Sequence, residues 1–218
     1  MVLAAGRGER LRPITDELPK PLVAVGGRPL IAWHLAALAR AGFREVIINL
    51  SWLGEKLRAA LGDGHGFGVT IRYSEEGPVA LETGGGIAHA LPLLGAQPFL
   101  VVSGDIWTEL DFGSLQLAPE ALAHLVLIPN PAHHPHGDFG LEGERVVLGE
   151  SGRLTYGNVG IYRPEFFAGF SGRFPLVQPL RRAIAAGQVR GQLFRGRWCD
   201  VGTPQRLAEL NAQLAQVQ

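Results

Sequence analysis

A chain of 218 residues with 46% apolar and 18% charged side chains is long enough for one sizeable core or two small ones. Twenty basic and twenty acidic residues give zero formal charge with no long run of one sign, which excludes the electrostatic footprint of a nucleic-acid groove or an anionic membrane surface. No stretch approaches the roughly 18 to 20 apolar residues of a membrane span, glycine and charge stand where a signal peptide keeps its apolar stretch, and the single Cys199 makes no internal disulfide, so a cytoplasmic protein held by packing is expected.

Short apolar runs alternate with helical periods from the start: Val2 to Ala4, Leu30 to Arg40, Glu45 to Leu50, Trp52 to Leu61 and Val69 to Tyr73. This is a βαβαβ beginning. Ile31, His34, Leu35 and Leu38 share one helical stripe, Pro29 suits a first helical turn, and Gly42 sits where the helix would stop. His34 and His89, on helical stripes, read as core residues, and Trp33 and Trp52 as packing. "FLVVSGD", Phe99 to Asp105, is apolar on both faces, as in a strand covered on both sides, and a parallel α/β sheet follows.

Beyond Asp105 the rhythm changes to strands separated by turn residues: Ala123 to Ile128, Phe139 to Glu142, Arg145 to Leu148 and Leu154 to Tyr162. A smaller β-rich lobe is expected there. In the tail, Thr203 offers an N-cap, Pro204 a first helical position, and Leu207, Leu210 and Leu214 one apolar face. His133, His134 and His136 crowd one Pro-rich loop, but their spacing lacks a nearby Cys or paired acid, and a solvated or substrate-facing loop is expected rather than a zinc site.

The densest chemistry lies in "GRGERLRPITDELPKPL", Gly6 to Leu22. A strand feeding it delivers its glycines to the carboxyl end of a parallel sheet, where open α/β folds place ligands. Without a Cβ, Gly6 and Gly8 let backbone N–H groups approach an anion closely. A P-loop would need four residues between its glycines and then Gly-Lys-Ser/Thr. A dinucleotide fingerprint would need a third glycine where Leu11 stands. Pro13, Pro19 and Pro21 forbid one regular helix, so an irregular loop should carry Arg7, Arg10, Arg12 and Lys20 back over the site.

Gly6, Gly8, Arg10, Leu11, Pro13, Thr15 and Pro19-Lys20-Pro21, followed by "LETGGG", "SGD", "NVG" and "WCDVGT", resemble the signature of the sugar-1-phosphate nucleotidyltransferases over nearly the whole chain. The resemblance implies a Rossmann-like, mostly parallel mixed sheet flanked by helices with a small β-rich sugar-binding lobe. It implies one nucleotidyltransferase domain over 1–218, with a nucleotide-binding part at 1–110, a sugar-binding part at 111–198 and a C-terminal helix at 199–218 packing back. The family's reaction is attack of a sugar-1-phosphate oxygen on the α-phosphorus of a nucleoside triphosphate. That nucleophile is already an anion, so alignment and charge neutralisation suffice.

By the same resemblance, Arg10 and Lys20 are the catalytic cations, and Asp105 and Asp200 hold Mg2+. Leu3, Ala5, Gly6, Gly8, Arg10, Lys20, Glu76, Glu82, Thr83 and Gly84 are nucleotide-binding, and Asp138, Gly140, Glu150 and Asn158 sugar-binding. Read without the family, Asp105 is a turn or cap residue, Asp200 begins a helix, and the glycine run opens one. "GESGR" lacks the lysine that many relatives set against the sugar phosphate, and Arg153 stands nearby. "NPAHHPHGDFG" with "LETGGG" points within the family to transfer of uridylyl from UTP to N-acetylmuramate 1-phosphate, in peptidoglycan recycling. Guanylyl or thymidylyl transfer to mannose or glucose 1-phosphate, and a non-catalytic nucleotide-sugar-binding subunit, are the alternatives. The expected partners are a nucleoside triphosphate and a sugar 1-phosphate, without nucleic acid or membrane, in a monomer or weak homo-oligomer.

Overall fold

The structure is a computed structural model that describes residues 1–149 and 151–216. The chain forms two compact units, one from Met1–Ala80, Ser103–Gly113 and Arg197–Gln218, the other from Leu81–Val102 and Ser114–Gly196.

In the first unit, Glu45–Leu50 runs parallel to Val2–Leu3 on one side, with Val2 opposite Ile48, and to Thr70–Glu75 on the other. Every residue from Val46 to Leu50 is buried, because this strand has neighbours on both edges and helices to cover its faces. Helix Leu30–Arg40 buries Leu30, Ile31, His34, Leu35 and Leu38. It ends where Gly42 takes φ 90°, with Gly42 N–H donating to Ala39 and Phe43 N–H to Leu38. That pair of bonds closes the last turn as a left-handed glycine cap does. Pro29 lies just before the helix, in the short hairpin of Ala24–Val25 with Arg28–Pro29, rather than in its first turn. Helix Gly54–Leu61 starts two residues later than the apolar period suggests, since Leu53 is left-handed at φ 51° and keeps Trp52 outside.

The C-terminal helix Pro204–Ala215 is capped by Thr203, whose hydroxyl accepts from Arg206 N–H. Its Leu210 and Leu214 join Leu11, Val25, Leu30, Trp107 and Val201 in one apolar cluster, with Leu207 and Trp33 at its margin. Each buried leucine contributes about 2 kcal/mol. The segment that follows the opening strand is thereby clamped by residues two hundred positions away.

In the second unit the strand order is Phe99–Ser103, Thr155–Tyr162, Ala123–Ile128, Val189–Leu193, Arg145–Val147, Gly140–Glu142. Ala123–Ile128 and Val189–Leu193 run parallel, whereas Thr155–Tyr162 is antiparallel to both its neighbours and shifts register between Tyr156 and Gly160. The expected parallel sheet is thus realised in the first unit, while the second is mixed. Helices Glu82–Leu94 and Val177–Ala185 belong to it, with Tyr162, Phe166 and Phe167 in mutual ring contact and Phe99 stacked on Phe167. His89, expected in the core, is exposed on the first of these helices. Among the described residues, no helix is long and apolar enough to cross a membrane.

Candidate active site

The opening strand ends at Leu3, and its continuation is fixed at once. Ala4 N–H donates to Asn49 Oδ1 at 2.7 Å, and Asn49 Nδ2 donates to Glu76 Oε1 at 2.5 Å, with both side chains buried. Asn49 and Glu76 stand at the ends of two parallel strands, so this brace sits at the carboxyl edge of the first unit's sheet. Gly6 is exposed, and a Cβ built on it would meet nothing within 4 Å. Gly8 is different: at φ 69° it is left-handed, and a Cβ would lie 3.0 Å from Thr15 and 3.2 Å from the Lys20 side chain. Its carbonyl accepts from Thr15 Oγ1 at 2.8 Å and from Leu11 N–H at 2.9 Å. The missing side chain at Gly8 is the space through which Lys20 runs.

The four cations of this loop separate by partner. Arg7 lies over the Trp52 ring at 4.3 Å, and Trp52 Nε1 donates to Thr15 C=O. Arg12 pairs with Asp16 at 2.7 Å on the surface. These two brace the loop instead of facing the site as expected. Lys20, buried between Pro19 and Pro21, donates from Nζ to Asp105 Oδ2 at 2.6 Å. Arg10 is exposed and acts on Asp105 through charge alone.

Asp105 reaches its place because Gly104 precedes it. Gly104 N–H donates to Leu3 C=O at 2.8 Å, and a Cβ there would fall 2.6 Å from that same oxygen. Burial pushes the Asp105 pKa up. Attraction to Lys20, hydrogen bonds from Lys20 and Ser103 and attraction to Arg10 outweigh it, and the carboxyl stays below its ordinary range. Next in the chain, Ile106–Thr108 pairs antiparallel with Trp198–Asp200, with Asp200 opposite Ile106, and Val201 N–H donates to Asp105 C=O at 2.8 Å. Two aspartates 95 positions apart therefore sit on neighbouring chains at one end of a ribbon.

Asp200 does not cap the following helix, which Thr203 does. Its carboxylate is instead held by Arg206, whose Nη1 lies 2.7 Å from both oxygens. No sequence pattern drew attention to Arg206; its position three residues after the Thr203 cap is the only local cue. Among the described residues, no group of three or more His, Cys, Asp and Glu is placed to hold a metal. What the ribbon end offers is oxygen only, from two carboxylates. That donor set fits a small hard divalent ion that keeps its waters and takes further oxygens from phosphates.

In the second unit, Glu82 has φ 61° at the start of helix Glu82–Leu94 and pairs with Arg173 at 3.1 Å, and Thr83 beside it is exposed. Gly84 and Gly85 are in the first turn, where a Cβ would meet the Phe174 ring at 2.5 Å and Gly172 C=O at 2.3 Å. Gly85 N–H donates to Phe174 C=O at 3.0 Å. The glycine run thus opens a helix and admits a second chain segment against it. Asp138 accepts from Tyr156 N–H at 2.8 Å and contacts His134 Nε2 at 3.1 Å. Asn130 donates to the carbonyls of Pro135 and Arg153, and the histidine loop is fixed at both ends. Gly140 is buried against Val147. Asn158 is exposed and left-handed at φ 58°, within the register shift of its strand. Arg153 Nε donates to Gly149 C=O at 2.5 Å, and Glu150 lies outside the described residues.

Residues 1–150 match the Nucleotidyl transferase family, and the chain belongs to that family. It is 52% identical over 222 residues, 97% of this chain and 96% of the relative, to N-acetylmuramate alpha-1-phosphate uridylyltransferase of Neisseria meningitidis serogroup B. It is 36% identical, over 99% of this chain and 96% of the relative, to the protein of the same name from Caulobacter vibrioides. Among solved structures, a candidate glucose-1-phosphate thymidylyltransferase from Bacillus anthracis in complex with sucrose shares the fold, with TM-score 0.86 at 19% identity over 100% of this chain and 95% of its own. The substrates of this enzyme class are a nucleotide and a sugar phosphate.

Proposed function

We propose that the chain transfers the uridylyl group of UTP to N-acetylmuramate 1-phosphate, giving UDP-N-acetylmuramate and pyrophosphate, as a cytoplasmic enzyme of peptidoglycan recycling. The observation that carries this reading is the 52% identity, over nearly the full length of both chains, to a relative of that name. The disposition of Arg10, Lys20, Asp105 and Asp200 in the first unit supports the chemistry.

In the reaction a phosphate oxygen of the sugar phosphate attacks the α-phosphorus of UTP. The new P–O bond forms as the bond to the β-phosphate oxygen breaks, and pyrophosphate carries the electron pair away. No proton moves, so no general base is required and stabilisation of charge decides the rate. Exposed Arg10 is free to meet the triphosphate, and a guanidinium suits two phosphate oxygens at once. Lys20 supplies a point charge at a fixed place, because its stem runs past Gly8 and its Nζ is held by Asp105. Gly6 and Gly8, with Leu3 and Ala5, present backbone to the nucleotide, and Asn49 and Glu76 keep that backbone in place. Asp105 and Asp200 would hold Mg2+, which supplies Lewis-acid neutralisation of the phosphates when bound.

For the second unit we assign Glu82, Thr83 and Gly84 to the base and its ribose, Asp138, Gly140 and Asn158 to the sugar, and Glu150 by family resemblance alone. Asn158 carries its assignment best: a non-glycine residue held left-handed and exposed within a bulged strand presents a side chain rather than packing one. The chain acts as a monomer or weak homo-oligomer.

The test is pyrophosphate release from UTP, GTP and dTTP, each with N-acetylmuramate, mannose and glucose 1-phosphates. UTP with N-acetylmuramate 1-phosphate should rank first in kcat/KM. A higher rank for GTP with mannose 1-phosphate, or dTTP with glucose 1-phosphate, defeats the substrate assignment, and no turnover with any pair returns the chain to a binding subunit.

A further inference from the structure

Arg206 meets Asp200 in an unusual way. A single nitrogen, Nη1, stands 2.7 Å from Oδ1 and 2.7 Å from Oδ2. A point equidistant from both oxygens lies on the bisector of the carboxylate, which is where a cation sits when both oxygens bind it. The pair is largely buried, with side chains 15% and 16% exposed, unlike the half-exposed Arg12–Asp16 pair at 49% and 42%. It is also anchored from behind. Arg206 Nε and its backbone N–H both reach Thr203 Oγ1 at 3.3 Å, in the first turn of helix Pro204–Ala215. Gly202 leaves the guanidinium its space, since a Cβ there would fall 2.4 Å from Nη2.

We infer that Arg206 is a specificity-determining residue for the divalent ion: it fills the two-oxygen seat on Asp200 and leaves that carboxylate only single-oxygen ligation. This rests on the reading of Asp105 and Asp200 as the ion's ligands. Magnesium and manganese accept single carboxylate oxygens in octahedral sites, whereas calcium takes six to eight oxygens and readily uses both oxygens of one carboxylate. With Arg206 in place the smaller ions are favoured. The guanidinium charge also lowers affinity for any dication, so a firm hold needs the phosphates of the nucleotide.

The experiment uses the full chain with UTP. Mn2+ binding is followed by electron paramagnetic resonance of the free ion and Ca2+ by displacement of Mn2+, in wild type, Arg206→Leu, Arg206→Gln, Asp105→Asn and Asp200→Asn, with melting curves to establish folding. Wild type should bind Mn2+ at least about tenfold more tightly than Ca2+, and either Arg206 variant that folds should shift the ratio toward Ca2+ by about tenfold. Equal affinities in wild type overturn the inference without any variant. An unchanged ratio in a folded Arg206 variant, with Mn2+ binding still lost in the two Asp→Asn variants, overturns the role of Arg206 alone. Mn2+ binding beyond that of UTP alone that survives both Asp→Asn changes removes the ion site itself, and the inference with it.

Discussion

Lys20 Nζ lies 2.6 Å from Asp105 Oδ2, joining the opening loop to the second residue after strand Phe99–Ser103. The lysine is 9% exposed and the aspartate 37%, so the pair is dry on one side and open on the other. A cation in that position can lean toward an arriving phosphate without leaving its partner.

Lys20→Ala should lower kcat by about two orders of magnitude or more, the scale of losing one fixed charge that acts on the transition state. The forward reaction and pyrophosphorolysis should fall together, because the overall equilibrium does not depend on the enzyme. Lys20→Arg should not restore the rate, since a planar guanidinium does not reproduce the point charge that Nζ sets 2.6 Å from Asp105 Oδ2. Steady-state rates in both directions check this, and turnover within about threefold of wild type in Lys20→Ala would take Lys20 out of the reaction.

Gly104→Ala and Gly6→Ala form a contrasting pair. At Gly104 the new methyl meets Leu3 C=O at 2.6 Å, so backbone must move, and a loss of about 1–3 kcal/mol in urea unfolding is expected together with reduced turnover. At Gly6 the methyl meets nothing within 4 Å, and stability should stay within about 0.5 kcal/mol. If Gly6 nonetheless lies against the triphosphate, KM for UTP rises in a fully stable protein.

Asn158 separates backbone cost from contact. Asn158→Gly relieves a left-handed φ of 58° and should leave stability equal or higher, whereas Asn158→Ala should cost about 1 kcal/mol. Both should raise KM for the sugar phosphate by about tenfold, the worth of one hydrogen bond. A normal KM in the glycine variant would mean that the strained asparagine serves the strand alone.

His34 gives a pH dependence with a definite sign. Burial on helix Leu30–Arg40 lowers its pKa from 6.5 to about 4, against the bond to Ile106 C=O and the attraction of Asp105. At 2.7 Å from that carbonyl, Nε2 carries the proton of the neutral ring, and Phe112 stacks on its face. The unfolded chain therefore binds a proton that the folded chain refuses. The stabilisation is complete above pH 6.5 and drains away as pH falls toward about 4. Between pH 7 and pH 5 wild type should lose about 2 kcal/mol more than His34→Gln in urea titrations. Parallel losses in the two proteins would refute the assignment.

The legibility of this chain in its sequence followed the range of the cause. Helix Leu30–Arg40 and strand Glu45–Leu50 were found to the residue, because apolar periodicity and Gly42 are local signals. The position of Asp105 after an apolar run was readable for the same reason. Helix Val177–Ala185 escaped notice: Pro179 falls in its first turn, where it costs no hydrogen bond, and its short apolar face of Leu180, Ala183 and Ile184 sits among arginines. The Asp200–Arg206 pair, the separation of Arg7 and Arg12 from Arg10 and Lys20, and the Phe174 ring against Gly84 all depend on which distant segment arrives. Helical stripes also misled once, at His89, because a stripe gives the face and not what covers it.

The ribbon of Ile106–Thr108 with Trp198–Asp200 has a consequence for synthesis. While the ribosome is still adding the residues before Trp198, the first unit lacks its closing segment and with it Asp200, Arg206 and the leucines that seal Leu11 and Leu30. A nascent chain can form its parallel strands early, yet Leu11 and Leu30 stay uncovered and Asp105 lacks its neighbouring strand until the segment from Trp198 to Leu214 has been made.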